Sequence, residues 1–412
     1  MMNVAFRFTL VLLLAVALSL PAQAQRYEQY ARATVPSAQV IGMGGAGVAL
    51  AGPETAFFYN PAHFADLGRF GPRIEILGVR GQISTKFFDD LNFFRDRVEP
   101  ALDAGIELPL SQESRDLFID TFEQGRRPTV GQAAVMLPSV MIDLGSYGFG
   151  AGIFGRNATA YRFLDDGSGI PIIDLFSQID AMAVVAGAAM VPNTNLSVGL
   201  AGKYAQRWIG YKNADFLEID PNNEQLFIIN GSTVTFDLGL QYTDAVATLP
   251  GSLNFGLAVY DLVGGSFSYD EAGSIDFTGD NGEDPEELAE VIETFEDRDG
   301  TPSFRIGAAY GVPTLPAFPI VSDVDVALDF FSESSSESDQ PFFSKFRLGG
   351  QATLANVLAV RLGISQGYPT FGTGIETRFF QLNYVFHGVE DGRLPGQVER
   401  YNHLLQVRFG LF

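Results

Sequence analysis

Cysteine is absent from the 412 residues, which excludes a disulfide framework and any thiolate metal or redox centre. Histidine occurs only as His63, His387 and His403, in no metal-ligand spacing, and no Gly-x-Ser-x-Gly elbow accompanies them. The expectation is therefore no metal, no cofactor and no enzyme. Basic residues are scarce: 26 Lys and Arg stand against 49 Asp and Glu, for a net charge of −23. Phosphate contacts need clustered cations, so nucleic acid is excluded as a partner. Beyond the N-terminus no window approaches the roughly 18 apolar residues that a membrane helix requires.

What is present starts at Met1. Arg7 is the one charge before an unbroken apolar run from Phe8 to Leu20, followed by Pro21 and Ala22-Gln23-Ala24. A positive start, a short apolar core and a small-x-small site read as a cleavable export signal over 1–24. Apolar residues make up 46% of the chain, with 45 Gly and 36 Phe. Glycine and aromatics rise together where strands fit a curved sheet and meet lipid headgroups.

From Arg73 onward the dominant period is two. Val234, Phe236, Leu238, Leu240 and Tyr242 share one face; Thr235, Asp237, Gly239 and Gln241 share the other. Leu358, Val360, Leu362 and Ile364 likewise alternate with Ala359, Arg361, Gly363 and Ser365. About fourteen such segments can be counted, among them 146–156, 180–191, 194–207, 231–244 and 400–412, and an even number suits a bacterial barrel. Tight turns such as Pro192-Asn193 and Ala355-Asn356 alternate with long connections after the first, third, fifth and seventh strands. That alternation is expected when one rim carries turns and the other carries loops. The predicted fold is all-β: a transmembrane antiparallel barrel over 71–412, with an N-terminal hatch over 25–70.

Two long loops read as helical, near 87–127 and 284–297. In the second, Asp284-Pro285-Glu286-Glu287 places an acid at the N-cap and proline at the first helical position. Asp270 to Gly300 holds thirteen carboxylates against Arg298 alone, which reads as a solvated acidic rim rather than a calcium loop. The last strand ends in Phe412, one residue out of phase with the apolar face of Leu405, Val407, Phe409 and Leu411.

The segment from Gly42-Met43-Gly44-Gly45-Ala46-Gly47 to Phe57-Phe58-Tyr59-Asn60-Pro61-Ala62 resembles the plug of the long-chain fatty acid transporter (FadL-like) superfamily, nearest its PorV-like and TraF-like branch. Phe371 to Phe386 is similar to the penultimate hairpin of that group. The resemblance implies a fourteen-stranded barrel with a hatch in its lumen, a hydrophobic ligand near Asn60, Pro61 and Ala62, and release through kinks in the wall. Phe57 and Phe58 join this ligand set because aromatic rings suit an apolar molecule. Asn-Pro also starts turns by itself, so the same motif serves equally as hatch structure.

Gly42-x-Gly44-x-x-Gly47 matches a dinucleotide fingerprint as a string, but no alternating strand and helix follows it, and a packed plug turn is expected instead. Asp237, Arg305, Asp325, Lys345, Arg347 and Arg361 fall on the polar side of their strands, to pair across the lumen or line a polar path. Gly148, Gly150, Gly152, Gly199 and Ala201 leave room for either a plug or a ligand. The functional expectation is passive passage of small, fatty-acid-like hydrophobic compounds across the outer membrane of a Gram-negative-type envelope. The alternative is an assembly barrel docking a secretion or surface-attachment protein. The partners expected are outer-membrane lipid and either a hydrophobic small molecule or that secretion-system protein.

Overall fold

The computed structural model describes residues 32–412, apart from 51, 68–70, 99, 101–115, 122–127, 166–170, 216–224, 247, 264, 277–301, 314–317, 334–340 and 392–394. The expected export signal (1–24) and the expected helix at 284–297 lie outside the described residues. The hatch comes first, with two short helices, α1 (Ala38–Gly42) and α2 (Pro53–Ala56), and a 3₁₀ turn at Pro61–Ala65. Strands β1 (Gly71–Ser84) and β2 (Thr129–Asp143) flank a long loop with helix α3 (Phe87–Phe93) and a second helical stretch at 116–121.

Four long strands follow: β3 (Tyr147–Asp165), β4 (Pro171–Met190), β5 (Leu196–Asp215) and β6 (Gln225–Tyr242). Then come β7 (Ser252–Tyr260), β8 (Ser268–Asp276), β9 (Ser303–Val312), β10 (Val321–Glu333) and β11 (Phe346–Leu354). The chain ends with β12 (Leu358–Ser365), β13 (Tyr368–Glu376), β14 (Phe380–Glu390) and β15 (Glu399–Leu411). Every pairing is antiparallel; β1 meets β15, β5 meets β6, and β7 meets β9, so fourteen strands close on themselves. Closure pairs the strands around the whole circuit, which is what a sheet needs in hydrocarbon, with a departure at β7 and β8.

Strand β8 is the displaced upper half of β7. Both pair with β6, β7 along 238–242 and β8 along 225–232. Across the break, Leu262 N–H donates to Phe236 O at 2.8 Å and Gly265 N–H to Thr233 Oγ1 at 3.3 Å. The wall is interrupted here but laced.

Side-chain parity follows the alternation. Ile153, Val185, Leu200, Val234, Leu328, Leu362 and Leu405 are exposed and form the outward apolar band. Thr235, Asp237 and Gln241 are buried and point into the lumen. Aromatic residues gather at the outer edge of the band, where Phe330 packs on Phe346 at 5.3 Å and Phe342 on Phe346 at 5.2 Å. Phe380 and Phe409 meet at 5.3 Å at the opposite edge. Such girdles mark the two headgroup levels of a membrane barrel.

The structure departs from the alternation-based boundaries along β3 to β6. These strands run on for 19, 20, 20 and 18 residues, where the sequence pattern stops near 156, begins again at 180, stops near 207 and resumes at 231. A bilayer needs strands of only about 9–11 residues. The extra length therefore stands above the membrane as a palisade, and the third connection, expected to be long, spans only 166–170. The outward positions Asn157, Thr159, Ser177 and Gln206 are polar, which breaks the apolar half of the alternation while the strands continue, β3 on to outward Tyr161 and Phe163.

Phe412 keeps the inward phase of Leu404, Gln406 and Arg408 rather than the lipid-facing phase. The Arg408 guanidinium lies over its ring at 4.7 Å, and its N–H donates to Arg378 O.

Candidate functional site

The hatch lies within the barrel at the end carrying the short turns, seated on a belt of glycines. A Cβ added at Gly199 would come within 2.3 Å of the Pro61 carbonyl carbon, and one at Gly239 within 2.1 Å of Asn60 Oδ1. Gly256 and Gly349 stand equally close to Val48 O and Met43 O, at 2.1 Å each, and Gly363 is 2.3 Å from Gly44 N. Gly148 meets the backbone of Phe64. No other residue allows two backbones this close, and Gly148, Gly150 and Gly199 are thereby assigned to plug contact, whereas Gly152 packs against Phe154 and Ser139 of the wall.

The glycine-rich turn of the hatch does cradle an anion, but an internal one. Asp329 Oδ2 of β10 accepts N–H bonds from Gly47 at 2.8 Å and Val48 at 3.0 Å. Arg305 of β9 donates to Gly45 O at 2.7 Å and lies 3.6 Å from the same carboxylate. Gly44 and Gly45 adopt φ of 68° and 87°, a left-handed pair whose N–H groups donate back to Ile41 O and Val40 O and so end α1 before the turn. The expected packed plug turn is what the structure contains.

Asn60 is the hatch's central staple. Its Oδ1 accepts from Ala62 N at 3.0 Å, capping the 3₁₀ turn, while Nδ2 donates to Val48 O at 2.8 Å and Leu240 O at 3.0 Å. Next to it, His63 places Nε2 3.0 Å from Val48 O and Nδ1 2.7 Å from the Thr55 hydroxyl. Burial holds this imidazole neutral by pushing its pKa down to about 4. The polar atoms of Asn60 are thus engaged in hatch-to-wall bonds, and Pro61 and Ala62 are buried against Gly199 and Gly239.

Phe57 and Phe58 face the opposite way, into an aromatic cluster. The Phe57 ring meets Phe64 at 5.1 Å and Phe154 of β3 at 5.2 Å, and Phe58 meets Phe154 at 4.9 Å. Phe58 alone of these is only partly buried. Beside and above them an apolar cluster extends over the inward side of these strands, with Met182 and Phe176 on β4, Ala205 and Ile209 on β5, Ile229 on β6, then Phe267 and Tyr269 at the wall break, interleaved with the buried Arg156, Asp180 and Arg207.

The polar residues expected in the lumen are spread over three arrangements. Asp237 pairs with Lys203 at 2.9 Å, and Lys203 also reaches Asp261, which binds Arg32 of the hatch at 3.0 Å. Arg361 is fully buried and donates to Gln351, Asn383 and Glu376, while Arg347 donates to the Ser344 and Phe346 carbonyls. Asp325 stands opposite Gly311 on β9. Lys345 differs from expectation: it closes a 3₁₀ turn at Phe342–Lys345 before β11 and is not on the strand. The turn, begun by Pro341, delays the strand by a few residues.

Comparison with solved structures decides the architecture. The chain matches a monoaromatic hydrocarbon channel, a TodX deletion mutant, at TM-score 0.51 and 11% identity over 91% of this chain and 98% of that one. It matches the P. putida toluene transporter TodX at TM-score 0.50 and 11% identity over the same shares. Its fold is that of TodX. No family model and no curated protein matches the sequence. The TodX fold accounts for the closed barrel and the N-terminal helical segment within it.

Within this TodX-like barrel the sequence reading passed over several inward charges. Arg156 and Arg207 share Asp180 on neighbouring strands, and Arg408 binds Glu75 at 2.8 Å. Arg80, His387 and Arg400 line a cavity of about 210 Å³ against the hatch, together with Gln82, Gln132, Thr370 and Arg156 of β3. Their inward parity on β1, β14 and β15 was the available signal; each strand taken alone shows only one or two charges among small residues.

Proposed function

We propose that this chain is an outer-membrane channel of a Gram-negative-type envelope that passes small hydrophobic compounds, fatty-acid-like chains among them, down their gradient. The observation carrying the reading is the apolar cluster on the inward side of β3 to β6, which runs beside the Arg156–Asp180–Arg207 and Lys203–Asp237 ion pairs. A water-filled pore keeps its interior polar, whereas here Phe176, Ile209 and Ile229 stand above Met182, Phe154, Phe57 and Phe58. A hydrophobic solute would move along this face, pause against the partly buried Phe58 ring, and leave beside the break between β7 and β8. That break adjoins the same apolar half, since Phe267 and Tyr269 belong to both. TodX itself is a monoaromatic hydrocarbon channel and toluene transporter, which supports the same reading for this chain.

The ligand set is proposed as Phe57 and Phe58, with Asn60, Pro61 and Ala62 holding the floor on which they stand. Equilibrium binding of a fluorescent fatty-acid analogue to the purified folded barrel tests this. Saturable binding that weakens about tenfold in Phe58→Ala is expected, a loss of about 1.4 kcal/mol. No binding by a barrel that keeps its heat-dependent gel mobility would overturn the reading and favour the partner-docking alternative.

A further inference from the structure

Arg80 is 1% exposed, and its Nη1 donates to the carbonyl of Pro36 in the hatch. Its other two donors, Nε and Nη2, are buried without a partner. These two form the side-on edge of the guanidinium, whose parallel N–H bonds match two oxygens of a carboxylate or phosphate. Among the described residues no carboxylate pairs with Arg80. A buried charge lacking both a counter-ion and hydrogen bonds is costly, so the fork is built for something the chain does not itself supply.

The space in front of it fits that occupant. The cavity of about 210 Å³ is lined by Arg80, Arg156, Arg400, Gln82, Gln132 and Thr370 among others, and by His387, whose Nε2 is likewise buried and unpartnered. These donors stand among a larger share of apolar surface, and Arg156 sets the cavity one inward position along β3 from Phe154 of the aromatic cluster. At about 210 Å³ it falls short of the roughly 300–1,000 Å³ of pockets that take larger apolar ligands, so a small anion fits where a long alkyl chain does not. Water alone would satisfy the hydrogen bonds and leave the charge uncompensated.

We propose that this cavity is a binding site for a small hydrophilic oxyanion, phosphate- or carboxylate-sized, held bidentately by Nε and Nη2 of Arg80 and bonded by His387. Because Pro36 fixes the third guanidinium nitrogen, the hatch itself orients the fork. The barrel thereby holds an anion site beside its hydrophobic one, and the two share the hatch and β3, through Arg156 and Phe154, as walls.

Calorimetric titration of the purified full-length barrel with inorganic phosphate, acetate and octanoate tests the proposal. Saturable binding of phosphate and acetate is expected, weakened at least tenfold in Arg80→Gln and in His387→Ala, and partly kept in Arg80→Lys, which retains the charge without the fork. Octanoate should bind no more tightly than acetate. Octanoate binding tenfold tighter than acetate would overturn the proposal, because the cavity would then be the headgroup end of the hydrophobic path. Absence of phosphate and acetate binding by folded wild-type barrel would also overturn it. Arg80→Gln and Phe58→Ala report on different ligands, so failure here is distinguishable from failure of the channel reading.

Discussion

His63 and Asn60 sit eight-tenths of the way along the hatch, and their chemistry sets how firmly it is closed. His63 is neutral because burial lowers its pKa to about 4, below the ordinary histidine value of 6.5. The folded state therefore binds the proton less readily than the unfolded chain. The stabilisation is complete above pH 6.5 and is lost as pH falls from there through about 4, with an upper limit of about 3 kcal/mol. Hydrogen exchange across 38–65, corrected for its intrinsic pH dependence, should show the hatch losing protection in that window. His63→Gln, which cannot titrate, should flatten the profile; an unchanged profile would show that His63 is not the responsible group. Asn60→Ala should weaken the hatch at every pH by about 1–3 kcal/mol, since it removes the bonds to the Val48 and Leu240 carbonyls and leaves the Ala62 N–H without its cap. The same exchange measurement reads it.

At the scale of elements, the hatch is held by backbone proximity to glycines and by carboxylates that reach its N–H groups. Gly199→Val would put side-chain atoms where the Pro61 backbone now lies, 2.3 Å from the position of the added Cβ. The hatch has to move, at a cost of about 1–3 kcal/mol. Protection at 60–65 should fall while the barrel keeps its heat-resistant mobility; loss of both would mean that the hatch is needed for the barrel to form. Much of this was legible beforehand. The Gly42 to Gly47 run, the Asn60-Pro61-Ala62 turn and the inward glycines were all visible as spacing and parity. Which of them touch was not, because contacts such as Gly47 with Asp329 and Asn60 with Leu240 join residues far apart in the chain.

For the whole molecule, the decisive feature is asymmetry. One side of the lumen, along β3 to β6, is tall and holds the main apolar cluster beside two buried ion-pair groups; the other, along β1 and β13 to β15, is shorter and rich in Arg, Gln and His. Replacing residues 158–178 with an Asn-Gly turn would shorten the β3–β4 hairpin above Asn157 and Ile179, which are paired. The membrane portion should remain folded, while the fluorescent fatty-acid analogue binds at least tenfold more weakly. Retained affinity would show that the palisade's inner face takes no part in ligand capture.

Period-two alternation and turn chemistry by themselves determined that this chain forms a membrane barrel of about fourteen strands with a segment left over at its N-terminus. Those are local properties, written within ten residues at a time, and lipid imposes them on each strand separately. Where Phe58, Arg80 and Asp329 stand with respect to one another was decided only by closure of the sheet. Closure brings β1 beside β15 and places the hatch against strands hundreds of residues away. The height of the palisade was also decided there, because once a strand leaves the bilayer its outward face needs no apolar residues, and inward burial alone keeps it extended.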